Sequence, residues 1–335
     1  MVLSETVKDC IKKNIPFAFI RLPKDKKIFL IKKEEGGLYE YSFQSFDNSK
    51  KYTFHFSTFT EVKDLLPSND HIFPLPNNEN TKVISEQEYL NLLQRTIHYI
   101  QQKQTDKIVI SREKWIDKDN INPFKSFLFL CEKYPSSFCQ VSYWNQNEIW
   151  MGATPEILGS FENSLFTTMA LAGTLPDIDS VQWESKEIEE QKYVTDYICE
   201  KIKAYTSNLT VKGPETLHLG HVKHLVTYLS AKLNTSYQLP QLIADLHPTP
   251  AVCGIPLNKS RSYILENEGY NRDFYAGYIG LETQKFKKYF VNLRCAKLYA
   301  NGALLYVGGG ITAQSNPQKE WTETELKSKF IGESL

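Results

Sequence analysis

FYAGYIGLETQKFKKYFVNLRCAKLYANGALLYVGGGI, from Phe274 to Ile311, holds three strand-like runs separated by short polar or glycine turns. Upstream, KIVISR (107–112), SSFCQVSYW (136–144), EIWMGATPEIL (148–158) and SLFTTMALAGT (164–174) repeat the pattern. PFAFIRLP, KIFLIKK and KYTFHFS extend it into residues 15–60. Helices interrupt these runs without regular βαβα alternation, which implies an α+β fold with large antiparallel sheets.

Ser85 with Glu88 makes a capping box, and Tyr89, Leu92, Leu93, Thr96, Ile97 and Ile100 recur at helical spacing. A helix of about five turns is predicted there. Further helices are predicted around Ser185–Ala204 and His221–Leu233, with an acidic one at the C-terminus. The Pro- and Asn-rich stretch Pro67–Lys82 reads as a linker, the one plausible boundary in the chain.

The chain has 335 residues, with 39 basic and 39 acidic side chains in balance, so its charge points to neither nucleic acid nor an anionic membrane. The N-terminus lacks the features of a signal peptide and no window approaches a membrane span, so a cytoplasmic protein is expected. Six scattered cysteines without CxxC pairs read as reduced, mostly buried thiols.

The Gly308–Gly310 triplet invites a nucleotide-binding reading, but no Lys follows it as in a P-loop, and the helix behind it opens with acid. Glu320, Glu323 and Lys327 share one helix face, and Glu187 and Glu190 stand three apart on another predicted helix. Two such faces suit Mg²⁺, which takes oxygen ligands, although an isolated ExxE is more often solvated.

Lys107 heads an apolar strand, either as its exposed end or as a general base in an enclosed site. Glu156 follows a proline and reads either as the first turn of a helix or as a proton donor. Arg294 is embedded among apolar residues, where a planar anion and a structural salt bridge are equally good partners. His224 lies on an amphipathic segment and reads most simply as a hydrogen-bonded core or surface residue.

Taken in order, KIVISR, GATPEIL, ALAGT, KEIEEQKYVTDYI, HPTPAVCGIP, YNRDFYAGYIG, LRCAKL and YVGGGITAQSNPQKEWTETELK resemble the chorismate-utilising enzymes over roughly residues 85–335. That family includes isochorismate, salicylate, anthranilate and aminodeoxychorismate synthases. The resemblance implies an α/β sandwich in one chorismate-binding domain, residues 1–335, with two antiparallel sheets packed together, helices outside and a reduced β-rich part before about residue 85. It implies Mg²⁺ held by Glu190 and Glu323, with Glu187 and Glu320 as additional carboxylates. Gly173, Thr174, His224, Ala251, Tyr275, Arg294, Gly308, Gly309, Gly310 and Lys327 would surround chorismate.

Within the family, a Lys at the place of Lys107 marks the enzymes that add water at C2, and Glu156 corresponds to the acid that protonates the departing C4 hydroxyl. Ala251 stands where aminodeoxychorismate synthases carry a nucleophilic Lys. The resemblance therefore favours isomerisation of chorismate to isochorismate, with salicylate synthase as the alternative and an ammonia-using synthase behind both. The product would feed menaquinone or siderophore synthesis, menaquinone being the commoner route. A monomer is expected, with a weak dimer as the alternative. Gln191, Tyr278 and Cys253 depart from the family pattern, which bears on pocket shape rather than on reaction type.

Overall fold

A strand with one apolar face needs neighbours on both edges and a partner layer, and here the strands assemble into two antiparallel sheets. The computed structural model describes residues 3–63, 73–78, 82–219, 222–233 and 236–335. The chain starts with α1 (Leu3–Lys12), β1 (Phe17–Arg21), β2 (Phe29–Lys32), β3 (Tyr39–Gln44), β4 (Lys51–Phe56), β5 (Thr60–Glu61) and α2 (Glu86–Gln101). Next come β6 (Lys107–Asp117), α3 (Pro123–Lys133), β7 (Phe138–Asn145), β8 (Glu148–Thr154), β9 (Ile157–Glu162), β10 (Leu165–Pro176) and α4 (Ser185–Lys203). They are followed by β11 (Leu209–Leu219), β12 (Val222–Lys232), α5 (Leu239–Leu246), β13 (Gly254–Ile255) and α6 (Leu257–Asn267). The chain finishes with β14 (Tyr278–Glu282), β15 (Phe286–Val291), β16 (Cys295–Tyr299), β17 (Gly302–Ile311) and α7 (Pro317–Gly332).

Among the described residues one sheet has nine strands in the order β13-β6-β17-β16-β8-β7-β1-β2-β5, and the other eight, in the order β11-β12-β10-β9-β15-β14-β3-β4. Strands from before residue 85 take part in both. The sheets face each other across one apolar cluster, to which Ile108, Ile110 and Trp150 contribute from the first and Tyr41, Phe43 and Phe290 from the second. A second cluster, with Val7, Phe127, Leu130 and Phe330, seats α1, α3 and the end of α7 on the outer side of the nine-stranded sheet.

The capping box at Ser85 forms, and α2 buries all six of the periodic residues that predict it. The expected helix at 221–233 does not. Residues Val222–Lys232 form β12, paired on one side with β10 and on the other with β11. Its first six residues are all buried, polar Lys223, His224 and Thr227 among them, so the helical spacing of its apolar residues did not mark the face that packs. Pairing on both edges decided the outcome. Residues 67–72 and 79–81 of the expected linker lie outside the described residues, and 73–78 carry no helix or strand.

No helix among the described residues is long and apolar enough to cross a membrane. The six cysteines are free thiols, four of them buried.

Candidate active site

Between the sheets lies a cavity lined by Glu156, Gly173, Thr174, Glu190, His224, Ala251, Tyr275, Arg294, Gly308, Gly309, Gly310 and Lys327. Val109, Pro155, Leu171, Ala172, Val252, Leu293, Tyr306 and Val307 complete its walls. Sequence reasoning passed over this second group because such residues read as ordinary core. Tyr306 is the informative miss: it stacks on Tyr275 at 5.6 Å and 15°, and its place just before the glycine triplet is the one signal that pointed to it.

The triplet is not a loop leading to a helix N-terminus. Gly308, Gly309 and Gly310 lie within β17, paired with Ser111, Ile110 and Val109 of β6. Their lack of side chains makes room for functional groups. A Cβ on Gly310 would stand 2.4 Å from Oε1 of Glu190 and 2.8 Å from Cε of Lys107, and one on Gly309 3.2 Å from Oε2 of Glu320 and 3.5 Å from Oε1 of Glu323. Glu190 thus stands at one glycine and Glu320 with Glu323 at the next, on the alternate sides to which successive positions of a strand point.

Lys107 is completely buried. Its Nζ lies 2.8 Å from Oε1 of Glu190, an ion pair by distance although the ammonium makes no well-aligned hydrogen bond. Burial alone would raise the Glu190 pKa, but the Lys107 ammonium holds its carboxyl below the usual range. The exposed-end reading of Lys107 is therefore set aside.

Glu156 sits where β8 of one sheet gives way to β9 of the other, not in a helix. Its backbone is tied by the Val291 N–H, which donates to the Glu156 carbonyl at 3.0 Å. Burial pushes its pKa up to about 8, only partly offset by Lys107 and Arg294. At neutral pH it carries a proton it can give away.

Arg294 lies in the bend before β16 rather than within a strand, with φ +50°. That left-handed conformation is uncommon for a residue with a side chain and costs about 1–3 kcal/mol, a strain typical of functional positions. Desolvation of its guanidinium lowers its pKa to about 10. The guanidinium lies 4.0 Å above the Phe330 ring. Nη2 donates to Nε2 of His224 at 2.9 Å, while Nη1 is buried without a partner. An unpaired buried donor of this kind calls for an anion.

His224 serves to hold that arginine. Burial, with the charges of Arg294 and Lys327, pushes its pKa well below the ordinary value, so the ring is neutral. Because Nε2 accepts from Arg294, the proton is assigned to Nδ1, which donates to the Gly173 carbonyl at 3.1 Å. Gly173 adopts φ +73°, and a Cβ there would meet the Glu187 carbonyl at 3.0 Å. Lys327 completes the wall, with Nζ donating to the Gly308 carbonyl at 2.9 Å and pairing with Glu323 at 2.6 Å.

The remaining expected carboxylates are distributed around this cavity. Glu187, Glu320 and Glu323 line a second cavity, of about 530 Å³, and Thr174 borders both. Glu187 accepts from the Glu184 N–H in the capping box of α4, so part of its bonding capacity goes to the helix start. Glu320 is almost fully buried. Burial and the neighbouring Glu323 raise its pKa, against the pull of Lys186.

Among the described residues no three His, Cys, Asp or Glu side chains converge as a ready-made metal site. Glu190, Glu323 and Glu320 are each turned to an ammonium, those of Lys107, Lys327 and Lys186. The donor set nevertheless fits a hard cation: it is all carboxylate, it borders the two cavities that share Thr174, and Oε2 of Glu320 is buried with no hydrogen-bond partner.

Two facing antiparallel sheets that enclose an arginine, a lysine and a protonated carboxyl define a site for a small anionic substrate, and the chain belongs to the chorismate-binding enzyme family, whose model matches residues 41–335. Among relatives, it is 27% identical over 295 residues to isochorismate synthase MenF of Haemophilus influenzae, covering 80% of this chain and 68% of that one. It is 32% identical over 271 residues to the chloroplastic isochorismate synthase 2 of Arabidopsis thaliana, covering 76% of this chain but 48% of the relative. The chain thus spans about half the length of the plant relative. The solved structure of MenF, the menaquinone-specific isochorismate synthase from Escherichia coli, superposes with a TM-score of 0.80 at 20% identity, over all of this chain and 91% of that one. At that identity the likeness concerns the fold.

Proposed function

We propose that the chain isomerises chorismate to isochorismate in a Mg²⁺-dependent reaction. The observation that carries this reading is a cavity that holds a buried carboxyl protonated at neutral pH, Glu156, and an unpaired guanidinium N–H, with the fully buried Lys107 directly behind its wall, paired with Glu190 of the lining. Water adds at C2 and hydroxide departs from C4, while the two conjugated double bonds each move by one carbon. Water is a weak nucleophile and hydroxide a poor leaving group, so the exchange needs a base at one carbon and an acid at the other.

Lys107, once its ammonium has released a proton to solvent, takes the proton of the attacking water, and Glu156 gives its proton to the leaving oxygen. One water enters and one leaves. Arg294 receives a substrate carboxylate through Nη1, its orientation held by His224. Tyr275 and Tyr306 present a flat aromatic wall to the ring. Glu190 and Glu323, assisted by Glu320 and Glu187, would hold Mg²⁺, which when bound neutralises a substrate carboxylate and draws charge from the ring. Glu190 would then serve both the cation and Lys107, with which it already pairs.

Incubation of the purified protein with chorismate and Mg²⁺, followed by chromatography and mass measurement, tests the reading. A product of unchanged mass is expected. Salicylate with pyruvate would move the assignment to a salicylate synthase, and a requirement for ammonia would overturn the hydroxyl exchange.

A further inference from the structure

We propose that Lys186, in the first turn of α4, is a positioning residue for the divalent-cation site: it takes one oxygen of Glu320 and so turns the other toward the cation. The inference rests on the reading of the chain as a Mg²⁺-dependent enzyme. Lys186 Nζ donates to Oε1 of Glu320 at 2.8 Å, an ion pair that joins α4 to α7. The Glu320 side chain is 3% exposed and its Oε2 has no hydrogen-bond partner. That free oxygen lies 3.2 Å from the position a Cβ on Gly309 would take, and Oε1 of Glu323 lies 3.5 Å from the same point. The two oxygens face the same point of β17, at Gly309.

The first turn of a helix favours acids, because the N-terminus carries partial positive charge. A lysine there does nothing for α4 itself, so its position is explained by what it reaches. Glu320 and Glu323 repel one another, and a carboxylate free to rotate would turn away. With Oε1 held by Lys186, the rotamer that presents Oε2 is retained. Groups that orient the ligands of a metal commonly govern affinity by about 10–100-fold when removed.

Magnesium titration by calorimetry, without substrate, and the half-saturating Mg²⁺ concentration in turnover test the proposal. Lys186→Ala is expected to weaken Mg²⁺ binding by about 10–100-fold, with the chorismate KM at saturating Mg²⁺ changed by less than about threefold. Lys186→Arg, which still reaches Glu320, restores most of the affinity. In a Glu320→Ala background, Lys186→Ala has no further effect, as expected when one residue acts through the other. If the alanine variant is unstable, Lys186→Gln keeps the stem and carries the same expectation. Unchanged or tighter Mg²⁺ binding in Lys186→Ala, or an arginine variant as weak as the alanine one, overturns the proposal. A native protein that binds no Mg²⁺ overturns the cation reading itself, and this inference with it.

Discussion

Glu156 concentrates the chemistry in one proton. A carboxyl with its pKa raised by burial to about 8 is an acid at neutral pH, and the proposed reaction needs it protonated. Turnover is therefore expected to fall as pH rises through about 8, measured as kcat/KM against pH, and Glu156→Gln to lower kcat by about 10²-fold or more. The same shift bears on stability. The folded state keeps a proton that the unfolded chain releases near pH 4.5, so this residue makes stability decline as pH rises from there toward about 8. Glu156→Gln removes that cost. Without ligand, its melting temperature relative to the native protein should climb between pH 5 and 8 and level off above, by scanning calorimetry at each pH; a constant difference would contradict a protonated Glu156. From the sequence, this residue was an acid after a proline with two open readings. What raised its pKa is the sheet-to-sheet crossing that buries it, which no local pattern contains.

At the scale of elements, β17 shows why glycines stand in a strand, where they ordinarily weaken it. Gly310 faces Glu190 and Lys107 at distances that leave no space for a methyl group. Both are flexible side chains at their far ends, so Gly310→Ala should fold, with a melting temperature within a few degrees of native, yet lose activity by about 10²-fold, of the order expected when a catalytic group is displaced. Gly302→Ala in the same strand meets the Ile116 carbonyl at 2.5 Å, which cannot step aside, and should lower the melting temperature instead. Comparing the two in thermal melts and turnover separates a functional glycine from a structural one. Element type was legible where periodicity was long, as in α2 with its capping box. It was misread at β12, where Val222, Leu225, Val226, Leu229 and Leu233 keep a helical spacing although partner strands on both edges hold the segment extended.

Across the whole molecule, a buried ion pair binds distant segments around the site. Glu268 accepts from Nε of Arg272 at 2.7 Å and from the Ser111 N–H of β6 at 2.7 Å. Arg272 also donates to the carbonyls of Val109 and Val252. The strand of Lys107 and the wall formed by Ala251 and Val252 are thereby fixed to one node. Removing one partner leaves a buried charge uncompensated, so Glu268→Gln should cost about 3–5 kcal/mol of unfolding free energy, measured by urea denaturation; a loss below about 1 kcal/mol would show that the pair does not hold these segments together.

The order of motifs, the α+β class, the ends of the long helices and the candidate polar groups follow from the sequence by itself, because capping, periodicity and residue chemistry act over a few neighbouring positions. Only the tertiary structure decided that 222–232 is a strand, that Arg294 turns inward at a left-handed bend, and that Glu190 meets Lys107 and Glu320 meets Lys186. The physical reason is distance along the chain. Lys107 and Glu190 are 83 positions apart, yet burial and charge act through space, so protonation and pairing were settled when two sheets closed over one cavity.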